Sequence, residues 1–131
     1  MDNCIFCQML TGNIPTKKVY EDEHCIGVLD IYPAHPGHVI LVSKEHQTIM
    51  PQLKDEVVED IAVVAKHMSQ RMLNTLGVKG TNIYVANGIA AGQKAGHVLV
   101  HVIPRSQGDN VMPNLPTTKL EEKEKMIALL K

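Results

Sequence analysis

Between residues 53 and 76 apolar side chains recur at steps of three and four: Val57, Ile61, Val64, Ala65, Met68, Met72 and Leu76. Lys54, Glu59, Lys66 and Arg71 fill intervening positions. A period near 3.6 puts the apolar set on one face, which predicts a single long amphipathic helix closed by Gly77. Elsewhere the pattern shortens. In "VYEDEHCIGVLDI", residues 18–21 and 24–31 are extended runs separated by acidic turn residues, which predicts a hairpin. "YPAHPGH" is interrupted by Pro33, Pro36 and Gly37 before "HVILVSK" resumes a β-branched strand, so a loop delivers His38 to a strand's start. "TNIYVAN" and "HVLVHVI" predict two more strands joined by "GIAAGQKAG", with Pro104 expected to stop the second. Thr118, with Glu121 three residues later, forms a capping box for a short helix through Leu130. Strands outnumber helices, and their linkers are too short for parallel crossovers. The expected class is α+β: an antiparallel sheet, one long amphipathic helix and short terminal helices.

Length and charge narrow the function. A chain of 131 residues buries about two thirds of its unfolded surface, so metals and disulfides are optional for folding. No repeat or polar linker divides it, and we expect one domain over residues 1–131, with 106–131 a tail carrying the short helix. The net charge of −1, with both signs interspersed, gives no broad basic surface for a phosphate backbone, which argues against extended nucleic acid as a partner. Trp is absent, and Phe6, Tyr20, Tyr32 and Tyr84 are too scattered for a base-stacking platform. "MDNCIFCQML" carries an acid and lacks the apolar run of a secretory signal or membrane span, so a soluble cytoplasmic protein without membrane contact is expected. Three cysteines, two spaced Cys4-x-x-Cys7, fit a reducing compartment better than a disulfide framework.

The segment "AGHVLVHVIPRSQ" holds His97 and His101 with Leu99 midway. On a helix their spacing would allow one shared metal ion. The valines and Ile103 argue for a strand, where residues 97, 99 and 101 share a face but four steps span about 13 Å. One ion cannot hold both histidines. They serve two neighbourhoods, or one elongated site with residue 99 at its centre, or are simply polar residues on a strand edge.

"GQKAGHVLVHVIPR" resembles the signature of the histidine triad family, in which Gly-Gln precedes a strand with histidines at alternate positions and then Pro-Arg. "NCIFCQMLTGNIPTKKVYEDEHCIGVLDI" and "PGHVILVSKEH" resemble the family's amino-terminal half, so the likeness runs through Arg105. It implies a histidine-triad-like fold, a homodimer with the long helix and the strand near Ile83 facing the partner, and attack of the middle histidine on the α-phosphorus of a nucleotide conjugate. Here that nucleophile position is Leu99. A leucine has no lone pair to offer phosphorus, so the covalent chemistry is expected to be lost or severely weakened.

The other positions follow from the same resemblance. His101 matches the third histidine beside the phosphate, and His38 another active-site histidine. Gln93 matches a glutamine that approaches phosphate oxygens, with Gly92 allowing close backbone approach. Asp30 and Ile31 match the positions that hold ribose and base, and an Asp carboxylate accepts ribose hydroxyls well. Where relatives often show two asparagines, this chain has Ala86-Asn87, leaving Asn87 alone.

Cys4-x-x-Cys7 has no preceding strand to support a redox motif, and a tetrahedral zinc site needs two further ligands. His46 and His97 resemble the two that complete a structural Zn2+ site in the zinc-containing bacterial and archaeal branch. Cys25, in a strand, reads as a core residue. Three functions stand open: a purine mononucleotide (AMP- or GMP-like) binding protein with disabled chemistry, an active nucleotide phosphoramidate or dinucleotide hydrolase using His101 or water, and a zinc-stabilised dimeric interaction module.

Overall fold

The computed structural model describes residues 3–111 and 115–131. Two apolar layers are built on one five-stranded sheet. Its strands are β1 (Lys18–Glu21), β2 (Cys25–Leu29), β3 (Val39–Ser43), β4 (Gly80–Tyr84) and β5 (Leu99–Arg105), in the order β1-β2-β3-β5-β4. Every neighbouring pair is antiparallel. The helices are α1 (Ile5–Leu10), α2 (Asp55–Thr75) and α3 (Lys123–Leu130), with short 3-10 turns at Met50–Gln52 and Ile89–Ala91. Among the described residues no helix is long and apolar enough to cross a membrane.

Alternation assigns each strand residue to a face. Val39 and Leu41 of β3 and Val100 and Val102 of β5 pack with Val57, Ile61, Val64, Ala65 and Met72 of α2. Ile40 and Val42, with Ile26 and Val28 of β2, form a second apolar layer on the opposite face, against which Phe6, Met9 and Leu10 of α1 and Leu99 pack. Both faces of β3 are thus covered, and all five of its residues are buried. That is why "VILVS" is continuously apolar rather than alternating.

The expected hairpin is β1–β2, and its acidic turn has a mechanism: Asp22 Oδ1 accepts from the His24 and Cys25 amides at 2.7 and 2.8 Å. The predicted long helix is α2, with Asp55 and Glu56 in its first turn, where the helix dipole favours negative charge. Gly77 ends it at φ +69, a left-handed conformation suited to glycine.

Three boundary expectations are corrected. Pro104 does not stop its strand: β5 continues to Arg105, with Thr81 opposite Pro104. Pairing with β3 has ended at Val102, so Pro104 has one neighbouring strand and its missing N–H is tolerated. β5 opens at Leu99, leaving His97 and Val98 just before it. The last helix opens at Lys123 with Glu122 as its cap residue, so Thr118 and Glu121 form no capping box. Every described residue from 115 onward is exposed.

Gly37 fixes how the chain enters β3. Its φ is +93, and a Cβ there would lie 2.7 Å from Leu76 Cδ1 and 3.3 Å from Pro104 Cγ. Gly37→Ala is therefore expected to lower stability by about 1–3 kcal/mol. A urea titration with an unchanged midpoint would contradict this.

Candidate functional site

Two clusters of side chains lie on the sheet face away from α2, with Leu99 between them. The first gathers where β2 ends and β3 starts. The Asp30 amide donates to the His38 carbonyl at 2.9 Å, which fixes the loop between them. His38, 5 % exposed, sits with Nε2 2.9 Å from His101 Nδ1 and 3.7 Å from Asp30 Oδ2.

These contacts assign the tautomers. The Ala34 amide donates to His38 Nδ1 at 3.0 Å, so that nitrogen is unprotonated and Nε2 carries the hydrogen. His38 Nε2–H then donates to His101 Nδ1, which leaves the hydrogen of neutral His101 on its own Nε2. His101 accordingly presents an N–H donor, not a lone pair. Burial holds both imidazoles below the usual histidine range, with Asp30 opposing the shift in each and His38 adding to it at His101.

The folded forms take up protons at lower pH than the unfolded chain, whose histidines titrate near about 6.5. The stability they contribute is complete above that pH and is lost as pH falls through it toward the folded values. The urea midpoint is expected to drop between pH 7.5 and 5.5, and less steeply in His101→Gln. Equal slopes for the two proteins would contradict the assignment.

The second cluster joins α1 to the sheet. Cys4 caps α1, its Sγ accepting from the Cys7 amide at 3.4 Å. His46 Nδ1 lies 3.0 Å from Cys7 Sγ and 3.1 Å from His97 Nδ1, which is itself 3.4 Å from Cys4 Sγ and 3.8 Å from Cys7 Sγ. All four ligand atoms lie within 4.8 Å of one another. Tetrahedral ligands at zinc bond lengths sit about 3.3–3.8 Å apart, so the group is compact enough, and of the right donor types, to hold one such ion. His97 is also oriented for it: Nε2–H donates to the Ser43 carbonyl at 2.8 Å, leaving Nδ1 unprotonated toward the cluster.

Leu99 lies between the clusters. It is opposite Val42 as His101 is opposite Ile40, so both point to the face away from α2, and Leu99 is half-buried against the Ile26, Val28, Ile40 and Val42 layer. The reading that His97 and His101 serve different neighbourhoods matches these contacts.

The Gly-rich loop, residues 88–96, lies between β4 and β5. Gly88 and Gly92 adopt φ of +96 and +89. Gln93 braces the loop, its Oε1 accepting from the Gly88 amide at 2.7 Å and its Nε2 donating to Thr48 and Ala95 carbonyls at 2.6 and 2.8 Å. Toward a phosphate it would act through loop shape, or by giving up one of these bonds. Asn87 Oδ1 accepts from the Met50 amide at 2.8 Å. Asp30 Oδ1 holds the Tyr32 amide at 2.9 Å, and Ile31 is 82 % exposed.

Sequence reasoning did not single out Tyr84. Its ring centroid lies 5.5 Å from that of His101, directly opposite it in the β4–β5 register. Its place in "TNIYVAN" was the available signal, but the partner strand's register was needed to use it. A further group, Asp22, Cys25 and Asp60, is also compact. There, however, Asp22 is committed to backbone amides and to the Tyr20 hydroxyl at 2.9 Å, and burial pushes the Cys25 thiol up to about 12. Cys25 is fully buried in the core, as expected.

Comparison with known proteins fits this geometry. The HIT domain family model matches residues 11–108. An uncharacterized HIT-like protein of Methanocaldococcus jannaschii is 44% identical over 107 residues, 81% of each chain. The adenosine 5'-monophosphoramidase of Schizosaccharomyces pombe is 35% identical over 103 residues, 79% of this chain and 74% of that one. The crystal structure of a Zn-bound histidine triad family protein from Mycobacterium smegmatis superposes with a TM-score of 0.79 at 31% identity, covering 98% of this chain and 91% of that one. With its five-stranded antiparallel sheet and these matches in hand, the chain belongs to the HIT, or histidine triad, family.

Proposed function

We propose that this protein binds a purine mononucleotide on the sheet face around His38 and His101 and holds it without covalent catalysis. The phosphate lies against His101 Nε2–H and the loop at residues 88–93, the ribose reaches Asp30, and the base covers Ile31. The observation that carries the reading is Leu99, half-buried between the two histidine clusters and on the same face as His101. A relative 35% identical over 103 residues is an adenosine 5'-monophosphoramidase, which supports a purine nucleotide as ligand. Calorimetry with AMP tests it: binding is expected, and absence of heat at saturating AMP would favour an interaction module with an empty pocket.

The alternative of an active hydrolase with His101 as nucleophile is disfavoured by the tautomer chain. A nitrogen bearing hydrogen has no lone pair to attack with, although it suits donation to a phosphate oxygen or a leaving group.

Cys4, Cys7, His46 and His97 would hold a structural Zn2+, as their spacing and the His97 tautomer favour. The ion supplies no reaction step. It ties the residues preceding and opening α1 to the sheet, close to Leu99. The protein acts in the cytoplasm as a homodimer in this proposal. Support for dimerisation is the exposed Val63 and Leu73 of α2 and Ile83 of the edge strand β4, apolar groups a second copy would cover. Light scattering that shows a monomer at micromolar concentration would contradict it.

A further inference from the structure

His101 has neighbours on two sides. His38 approaches it from the β3 side, and Tyr84 from β4. Tyr84 stands opposite His101 in the register, so both side chains leave the sheet on the face that carries Leu99. The ring planes are tilted by 57° with centroids 5.5 Å apart. The phenol therefore leans over the face rather than away from it.

Its hydroxyl reaches the Gly-rich loop. It donates to the Ala91 carbonyl at 3.5 Å, beyond the usual range of about 2.5–3.0 Å for an O–H···O bond. A Cβ built on Gly92 would lie 3.7 Å from the same oxygen. A donor thus hangs over the turn at Gly92, weakly engaged, beside the imidazole whose N–H is available to an anion. Tyr84 is 42 % exposed, so a ligand can reach it.

We propose that Tyr84 is a phosphate-contacting residue of this site: on binding, its hydroxyl exchanges the long contact to Ala91 for a hydrogen bond to a phosphate oxygen. This rests on the nucleotide reading above and deepens it. The phenol supplies a polar contact two positions before Ala86, where the side chain has none to offer. Tyr84 and His101 then form a pair of neutral donors from adjacent strands, and the site selects nucleoside monophosphates over nucleosides through both.

The test is calorimetry with AMP and with adenosine, on the unmodified protein and on Tyr84→Phe, which keeps the ring against His101. A hydrogen bond to a charged acceptor predicts that Tyr84→Phe binds AMP about tenfold or more weakly. Its affinity for adenosine is unchanged. Equal AMP affinity in the two proteins overturns the assignment and leaves the nucleotide reading intact. An equal loss for AMP and adenosine also overturns it, because the phenol would then act on the nucleoside or on the fold. An unmodified protein that binds no AMP defeats the nucleotide reading, and this assignment with it. Should Tyr84→Phe fail to fold, the protein carrying 3-fluorotyrosine with Tyr20 and Tyr32 replaced by Phe gives one 19F resonance. AMP must shift it and adenosine must not; any other pattern overturns the proposal.

Discussion

Leu99→His is expected to raise turnover of an adenosine phosphoramidate by at least about a hundredfold over the unmodified chain, because removing a covalent nucleophile typically costs several orders of magnitude and restoring it recovers part of that. The new imidazole would stand on the face that carries His101, one alternation away. Its lone pair would attack the α-phosphorus, the P–N bond would break, and the departing amine would take up a proton, with His101 Nε2–H placed to donate. Water would then hydrolyse the nucleotidyl-histidine. The substitution also removes an apolar contact with the Val42 layer, so a stability loss of about 1 kcal/mol is expected. Steady-state release of ammonia from both proteins decides the matter. If the unmodified chain already turns over at a rate the substitution does not raise, Leu99 is not what limits the chemistry.

Removing the Zn2+ proposed at Cys4, Cys7, His46 and His97 is expected to have the largest effect on stability. With four ligands drawn from residues 4, 7, 46 and 97, an ion there would close the chain across the sheet. Its binding free energy is available only to the folded state, so loss of even part of it costs about 3 kcal/mol or more. For a chain of this size that lowers the melting temperature by about 10 °C. Cys7→Ser should reproduce the effect of a chelator, and the two should not add. The damage should start at α1, whose Phe6, Met9 and Leu10 cover the outer apolar layer but which has only six residues to hold itself together. Zinc analysis of the purified protein should give one ion per chain. A melting temperature indifferent to both treatments would show that the four residues pack without an ion.

Much of the fold was legible because periodicity reports burial. The 3.6-residue period of α2 survived because one face meets the sheet, and the hairpin was marked by Asp22, whose carboxylate closes the turn. Boundaries were less legible. Pro104 reads as a stop in isolation, yet the ending of β3 beside it, a tertiary fact, makes it tolerable. Thr118 and Glu121 have capping chemistry, but both are exposed and the helix opens beyond them, at Lys123.

The site divides in the same way. Cys4-x-x-Cys7 suggested a metal from local spacing, whereas His46 and His97 entered through family resemblance, since no spacing rule joins residues so far apart. The contact of His38 with His101 crosses 63 positions of sequence, and it was the amide of Ala34 that fixed which nitrogen carries hydrogen. Gln93 was expected to face phosphate; its bonds to the Gly88 amide and to the Thr48 and Ala95 carbonyls, which brace the loop, needed the tertiary contact with Thr48 to be seen. Tyr84 was invisible until the β4–β5 register set it against His101.

The most direct test of a pocket that holds a nucleotide without bonding to it is mass spectrometry of the unmodified protein mixed with adenosine phosphoramidate, recorded under native conditions and again after a denaturing quench. A protein–nucleotide complex is expected in the native spectrum and is expected to disappear on denaturation. A nucleotidyl group that survives the quench on any residue would contradict it.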